Sequence, residues 1–119
     1  LDANGIGAEF LAKLTKFFEA GPKPMSEDAK THLVEWTRKT LRRAQKGDIE
    51  ARYRQTELLY TLLEIYFELR QQWFLGSKQS FHWLQQHDPS VYQLFERALY
   101  QPADLNCLGP LIDAVITIK

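Results

Sequence analysis

Apolar residues recur along this chain at every third or fourth position, in stretches long enough for helices and separated by glycine and proline. Phe10, Leu11, Leu14, Phe17 and Phe18 follow that period and predict a first helix over about Gly7 to Ala20. Gly21-Pro22-Lys23-Pro24 stops it. Ser26, followed by Glu27 and Asp28, is a helix start with acids in the first turn, where the helix dipole favours them. The second helix then carries Leu33, Val34, Trp36, Thr40, Leu41 and Ala44, and its basic end, Arg42, Arg43 and Lys46, precedes Gly47.

Asp48 caps a third and longest helix, expected to run to Trp73 or Phe74, roughly 38 Å at the usual helical rise. Leu58, Leu59, Tyr60, Leu62, Leu63, Ile65, Tyr66, Phe67, Leu69 and Trp73 cover an arc of about 220° on it, so most of its girth is expected to be packed. The remaining strip holds Arg54, Glu57, Thr61, Glu64, Glu68, Gln71 and Gln72. Gly76 breaks the chain, and Ser77 is expected to cap a short helix with Phe81, Trp83 and Leu84. Asp88-Pro89 caps and starts another with Val91, Leu94, Phe95, Ala98 and Leu99, which Pro102 ends. The segment from Asp104 to Lys119, interrupted by Gly109-Pro110, is expected to be a helix or a frayed end. The pattern predicts an all-α, up-and-down bundle of five to six helices.

With 119 residues, the chain fits one domain with a core of its own and is too short for two. An apolar fraction of 45% with 13% aromatics is that of a folded domain rather than a disordered segment. Fifteen basic and fifteen acidic residues cancel, so the whole-chain charge points to neither nucleic acid nor an anionic membrane. Cys107 is alone, which excludes an internal disulfide framework and fits a reducing cytoplasm. No apolar run approaches the roughly 20 residues needed to span a bilayer, and the start has no signal-peptide pattern. The chain begins Leu1-Asp2, without methionine, and is expected to be one helical domain, residues 1–119, cut from something longer.

The stretch QQWFLGSKQSFHWLQQHDPS, residues 71–90, has the residue types of a site but not the spacing. Gly76-Ser77-Lys78 lacks the upstream glycine of a phosphate-binding loop and reads as a helix stop and start. His82 and His87 are five apart, off the register that sets two imidazoles on one helix face for a metal, and no metal site is assigned. Trp73, Phe74, Phe81 and Trp83 suit a packed helix junction better than a stacking platform. Between residues 30 and 54, eight basic side chains face only Glu35, Asp48 and Glu50, an excess of five. That patch is either a solvated face or a surface for phosphates. Glu57, Glu64 and Glu68 lie within about 40° on one helix face. Such a strip is either the polar side of a long bundle helix or a binding surface for a cation, its carboxylates raising one another's pKa and one of them open to act as a base.

The segments FFEAGPKPMSEDA and LLYTLLEIYFELRQQWFLGSKQSFHWLQQHDPSVYQLFERAL resemble the helical C-terminal, substrate-binding domain of bacterial nucleotidyltransferases of the DNA polymerase beta-like superfamily, the group that includes aminoglycoside nucleotidyltransferases. The resemblance covers about Phe17 to Leu99 and consists of the Gly-Pro-x-Pro linker, the long Leu- and Tyr-rich helix, the aromatic-Leu-Gly-Ser-Lys turn and the Asp-Pro start. It implies a bundle packed on an N-terminal catalytic domain that shapes the pocket of the acceptor, a small cationic molecule. Glu57, Glu64, Glu68, Trp73 and Lys78 would then face the acceptor, and Arg38, Arg42 and Arg43 the nucleotide. The catalytic half of that family uses a Gly-Ser turn followed by paired aspartates on two magnesium ions. This chain has no Asp-x-Asp, so catalysis, magnesium and the nucleoside triphosphate would belong to the absent domain. Two other readings stand beside it. A helical protein-interaction module would bind through exposed faces of the first and third helices. A HEPN-type RNA-binding domain would need Arg-x4-His for RNase activity, and no arginine here has a histidine five positions on. Nucleic acid is therefore not the expected partner, whereas self-association is compatible with the sequence.

Overall fold

The structure, a computed structural model, describes residues 3–118. Six helices follow one another: α1 (Ala3–Ala20), α2 (Glu27–Ala44), α3 (Ile49–Leu69), α4 (Ser77–His87), α5 (Pro89–Tyr100) and α6 (Leu105–Ile116). The described residues contain no strand, and the molecule is an all-α bundle. Among the described residues no helix is long and apolar enough to cross a membrane.

Local chemistry sets most of the boundaries. The Ser26 hydroxyl accepts from the Ala29 amide at 3.1 Å, and the Asp48 carboxylate from the Ala51 amide at 2.8 Å, which satisfies donors that a helix start leaves open. Asp104 does the same for α6 through the Asn106 amide at 2.9 Å. The expected break at Gly109-Pro110 does not occur, and α6 runs through it. Pro110 sits in the middle of the helix with an exposed ring, so its missing N–H frees one carbonyl without placing the ring in the core.

Two expected caps differ. Gly76 (φ 92°), not Ser77, precedes α4, and Ser77 is its first residue. Asp88 does stand before α5, but its carboxylate makes no capping bond. It is taken by Tyr66 and Ser90 instead.

The core forms around α3, whose Leu58, Leu62 and Ile65 are almost wholly buried. α2 lies against α3 as a hairpin through Thr37, Thr40 and Ala44, and Gln55 donates to the Ala44 carbonyl at 3.2 Å. The buried threonine hydroxyls donate to carbonyls one turn back, Leu33 and Trp36, which satisfies both of them. α6 packs on α3 and α5 with Leu108, Leu111, Ile112 and Val115, and Leu84 of α4 and Phe95 of α5 close the remaining side.

The expected arc of α3 is narrower at one point: Tyr60 is 74% exposed. The helix is also shorter than its sequence pattern. It ends at Leu69 because Gln71 takes a left-handed conformation (φ 56°). The Gln72 amide then bonds the Phe67 carbonyl at 2.9 Å and the Gln71 amide the Glu68 carbonyl at 3.2 Å, the double closure of a Schellman end. Trp73 therefore lies beyond α3 and holds α1. Its indole N–H donates to the Phe18 carbonyl at 3.0 Å, and its ring packs on Phe17 and Phe18 at 5.0 and 5.7 Å. The rest of α1 stands off the bundle, and the molecule measures 64 × 31 × 27 Å.

Candidate functional site

The Schellman turn leaves a cleft of about 880 Å³ where the ends of several helices meet. Glu68 to Gln72 form one wall. His87, Asp88, Ser90 and Val91 of the α4–α5 junction form the second, and Asp113, Ala114, Thr117 and Ile118 the third. Pro24, Met25 and Lys30 close it from the start of α2.

Arg70 is the structural centre of the cleft. It is the first residue past α3, and its guanidinium reaches across to the C-terminus of α6. One nitrogen donates to the carbonyls of Tyr66 (3.1 Å) and Val115 (2.9 Å), the other to those of Ala114 and Thr117 (both 3.1 Å). These are carbonyls that a helix end leaves without amide partners, at the negative pole of its dipole. The guanidinium also lies 3.8 Å over the centre of the Tyr66 ring. Burial lowers the Arg70 pKa, and the nearby Tyr66 and Asp88 oppose that shift. The side chain stays charged throughout the range in which proteins are folded.

Tyr66 continues the network. Its hydroxyl donates to the Asp88 carboxylate at 2.7 Å, and Ser90 donates to the other Asp88 oxygen at 3.2 Å. Burial first, then the bond and charge of Asp88, push the Tyr66 pKa well above its ordinary value. The phenol is therefore a fixed donor, not a base. Next to it His87 stacks on Trp83 with ring centres 4.6 Å apart. Its Nδ1 lies 3.0 Å from the Trp83 carbonyl, which can only accept, so Nδ1 carries a proton there.

Three carboxylates line the cleft, Glu68, Asp88 and Asp113, against Lys30 and Arg70. The Arg70 charge is directed at carbonyls, which leaves the open space acidic. Burial, then the charge of Glu64, raises the Glu68 pKa. A positively charged ligand would relieve that strain, because the ionised form is what it favours. Among the described residues no three His, Cys, Asp or Glu side chains come together as metal ligands.

Of the residues expected from the sequence to contact a substrate or nucleotide, only Glu68 lines this cleft. Glu57 and Glu64 share its strip on α3 but lie outside the cavity, and Glu57 is 3.8 Å from Arg54. Trp73 is engaged with α1 and lines a second, smaller cavity of about 430 Å³ beside Phe18 to Gly21. Lys78, in the first turn of α4, and Arg38, Arg42 and Arg43, on the outer face of α2, are exposed and line neither cavity. The sequence reading missed Arg70, Tyr66, Asp88 and Asp113 as site residues. One signal was available for Arg70: it is a single cation directly after the apolar run LLEIYFEL. Asp88 carried no such signal, because its place before proline is fully explained by a helix start.

Cys107 is half-buried, and partial burial with the Asp104 carboxylate beside it raises its thiol pKa, which makes it a poor nucleophile. No family model, curated protein or solved structure matches the chain.

Proposed function

We propose that this bundle is a non-catalytic, substrate-contacting domain that works with the catalytic unit of a bacterial cytoplasmic nucleotidyltransferase and shapes the pocket for a small cationic acceptor. The observation that carries the reading is the acidic cleft bounded by Glu68, Asp88 and Asp113, whose volume of about 880 Å³ suits a small molecule. The likeness of residues 17–99 to such domains supports it. In this reading Asp88, aimed by Tyr66 and Ser90, and Asp113 bind ammonium groups, Glu68 ionises as the acceptor arrives, and the catalytic unit supplies magnesium and the nucleotide. Glu57 and Glu64 extend the acidic strip toward the cleft and steer the cation by charge.

The test is an NMR chemical-shift titration with a cationic amino sugar, magnesium-ATP and a short single-stranded RNA, each in turn. The expected result is saturable shifts with the amino sugar at residues 68, 88 and 113, weakened at least ten-fold by Asp88→Asn. Saturable shifts with RNA alone, centred on Arg38, Arg42 and Arg43, would replace this reading with a nucleic-acid interface.

A further inference from the structure

We propose that the outer face of α2 is a docking surface for single-stranded RNA, held by its phosphates and by a stacked base. Arg38, Lys39, Arg42 and Arg43 fall within about 140° of one another at helical spacing, and Lys46 follows in the turn that continues the helix. All five are exposed, while Thr37, Thr40 and Ala44 on the opposite side of α2 are buried. From Arg38 to Lys46 the row is about 12 Å long at the usual helical rise.

The fold leaves this charge uncompensated. Among the described residues none of the five forms a salt bridge; the bridges present join Lys30 to Glu27, and Arg54 to Glu50 and Glu57. Glu35 lies on the same face one turn before Arg38, yet it pairs with neither Arg38 nor Lys39. The Asp48 carboxylate is engaged in capping α3 through the Ala51 amide. The dipole of α2 accounts for Arg42 and Arg43 in its last turn, but not for Arg38 and Lys39 further back.

Trp36 selects among polyanions. It borders the row, about 20° beyond Arg43, and is 38% exposed. Trp73 and Trp83 pack on other rings, whereas Trp36 lies outside the core cluster. An open indole beside a row of cations suits an unpaired strand, whose phosphates meet the charge and whose bases stack on the ring. A duplex keeps its bases stacked on one another and offers the ring no face. An acidic protein segment supplies the charge without a ring. A membrane requires an apolar face to insert, and that of α2 is turned to α3. Among nucleic acids it is RNA that presents unpaired loops and ends. None of these residues lines either cavity, so the inference stands apart from the reading of the acidic cleft.

The experiment is fluorescence anisotropy of a labelled single-stranded RNA of about 12 nucleotides, titrated with the whole chain up to about 1 mM at several salt concentrations. The expected result is saturable binding at about 50 mM salt, with a log–log salt slope of about −2 to −3 for three to four neutralised phosphates. Arg38→Gln with Arg42→Gln weakens binding about ten-fold and flattens the slope by about 1.4, two contacts at about 0.7 each. Lys13→Gln with Lys16→Gln, the same loss of charge on α1, leaves the slope unchanged. Stacking is read from the Trp36 indole N–H resonance, which shifts on RNA addition, and Trp36→Leu weakens binding about ten-fold with unchanged circular dichroism. Absence of binding at the lowest salt would overturn the proposal, as would equal losses from the α1 and α2 pairs or a Trp36 resonance that RNA does not move. Equal or tighter binding of duplex RNA, of single-stranded DNA of the same sequence or of polyglutamate would give the face to that partner instead.

Discussion

Arg70→Met removes the guanidinium but keeps an apolar stem over the Tyr66 ring, and it is the sharpest probe of what holds the cleft together. The wild-type side chain makes four hydrogen bonds to carbonyls at 2.9–3.1 Å, three of them at the end of α6. Hydrogen bonds to a charged group contribute about 1.5–3 kcal/mol each when buried. They do not add here, because one arginine supplies all four and its half-exposed position lets water reach the freed carbonyls. About two full bonds' worth is lost, close to 3 kcal/mol, with a further ~0.5 kcal/mol from the charge at the α6 dipole. Urea unfolding followed by circular dichroism is expected to show a fall of about 3–4 kcal/mol with an unchanged slope, since the surface exposed on unfolding hardly alters. Arg70→Lys retains the charge and fewer bonds, and is expected to fall by about half as much. Amide exchange should localise the effect, with the last turn of α6 losing protection before α2 and α3 do. A loss below about 1 kcal/mol for Arg70→Met would mean that water replaces the guanidinium without penalty, and the description of Arg70 as the keystone of the cleft would be wrong.

Glu68→Gln tests the acidity of the cleft. The Glu68 carboxyl titrates above its ordinary 4.5, so its ionised form opposes folding at neutral pH, and that effect fades as pH falls through the raised folded value towards 4.5 and is absent below it. The variant is expected to be the more stable at pH 7, by less than about 1 kcal/mol given solvent screening, and equal to the parent at pH 4. Equal stability at both would remove the electrostatic cause. Gln71→Gly relieves a left-handed glutamine at the end of α3 and is expected to stabilise by about 1 kcal/mol in the same urea assay. Gly21→Ala acts in the opposite sense. Gly21 has φ 78°, and a Cβ there would sit 2.7 Å from the Gln71 carbonyl oxygen. The variant should loosen the α1 junction, read as a red shift of Trp73 emission in a protein whose other two tryptophans are changed to phenylalanine. An unshifted spectrum would show that Gly21 does not position α1.

Much of the fold was legible because it is local. Ser26 and Asp48 read as helix starts and bond as such, and the period of three to four residues placed the core of α3 in Leu58, Leu62 and Ile65. The misread features depend on distant partners. Nothing within residues 60–74 says that Arg70 will be claimed by carbonyls 44 to 47 positions later, so the apolar period appeared to carry α3 through Trp73. Asp88 before proline reads as a cap, and only the fold brings Tyr66 near enough to take its carboxylate. The candidate site divided in the same way. The acidic strip was visible on the helix, but the cleft is made by three other chain segments, and a helical wheel reports one helix at a time. The wheel also showed that α1 has an apolar face and could not show that the bundle leaves it open.

The arginine at the end of α3 also imposes an order on biosynthesis. The carbonyls it holds belong to residues 114–117, and Leu108, Leu111, Ile112 and Val115 are the side chains that cover α3 from that quarter. During synthesis α2 and α3 leave the ribosome before α6 and can pair as a hairpin, with much of the α3 apolar surface still wet. Some 45 further residues, added at roughly 5–20 residues per second, must follow Arg70 before α6 exists. For those seconds the nascent chain is a sticky hairpin with no cleft, and a message that pauses in the codons for α6 would lengthen its exposure to chaperones and to other copies of itself.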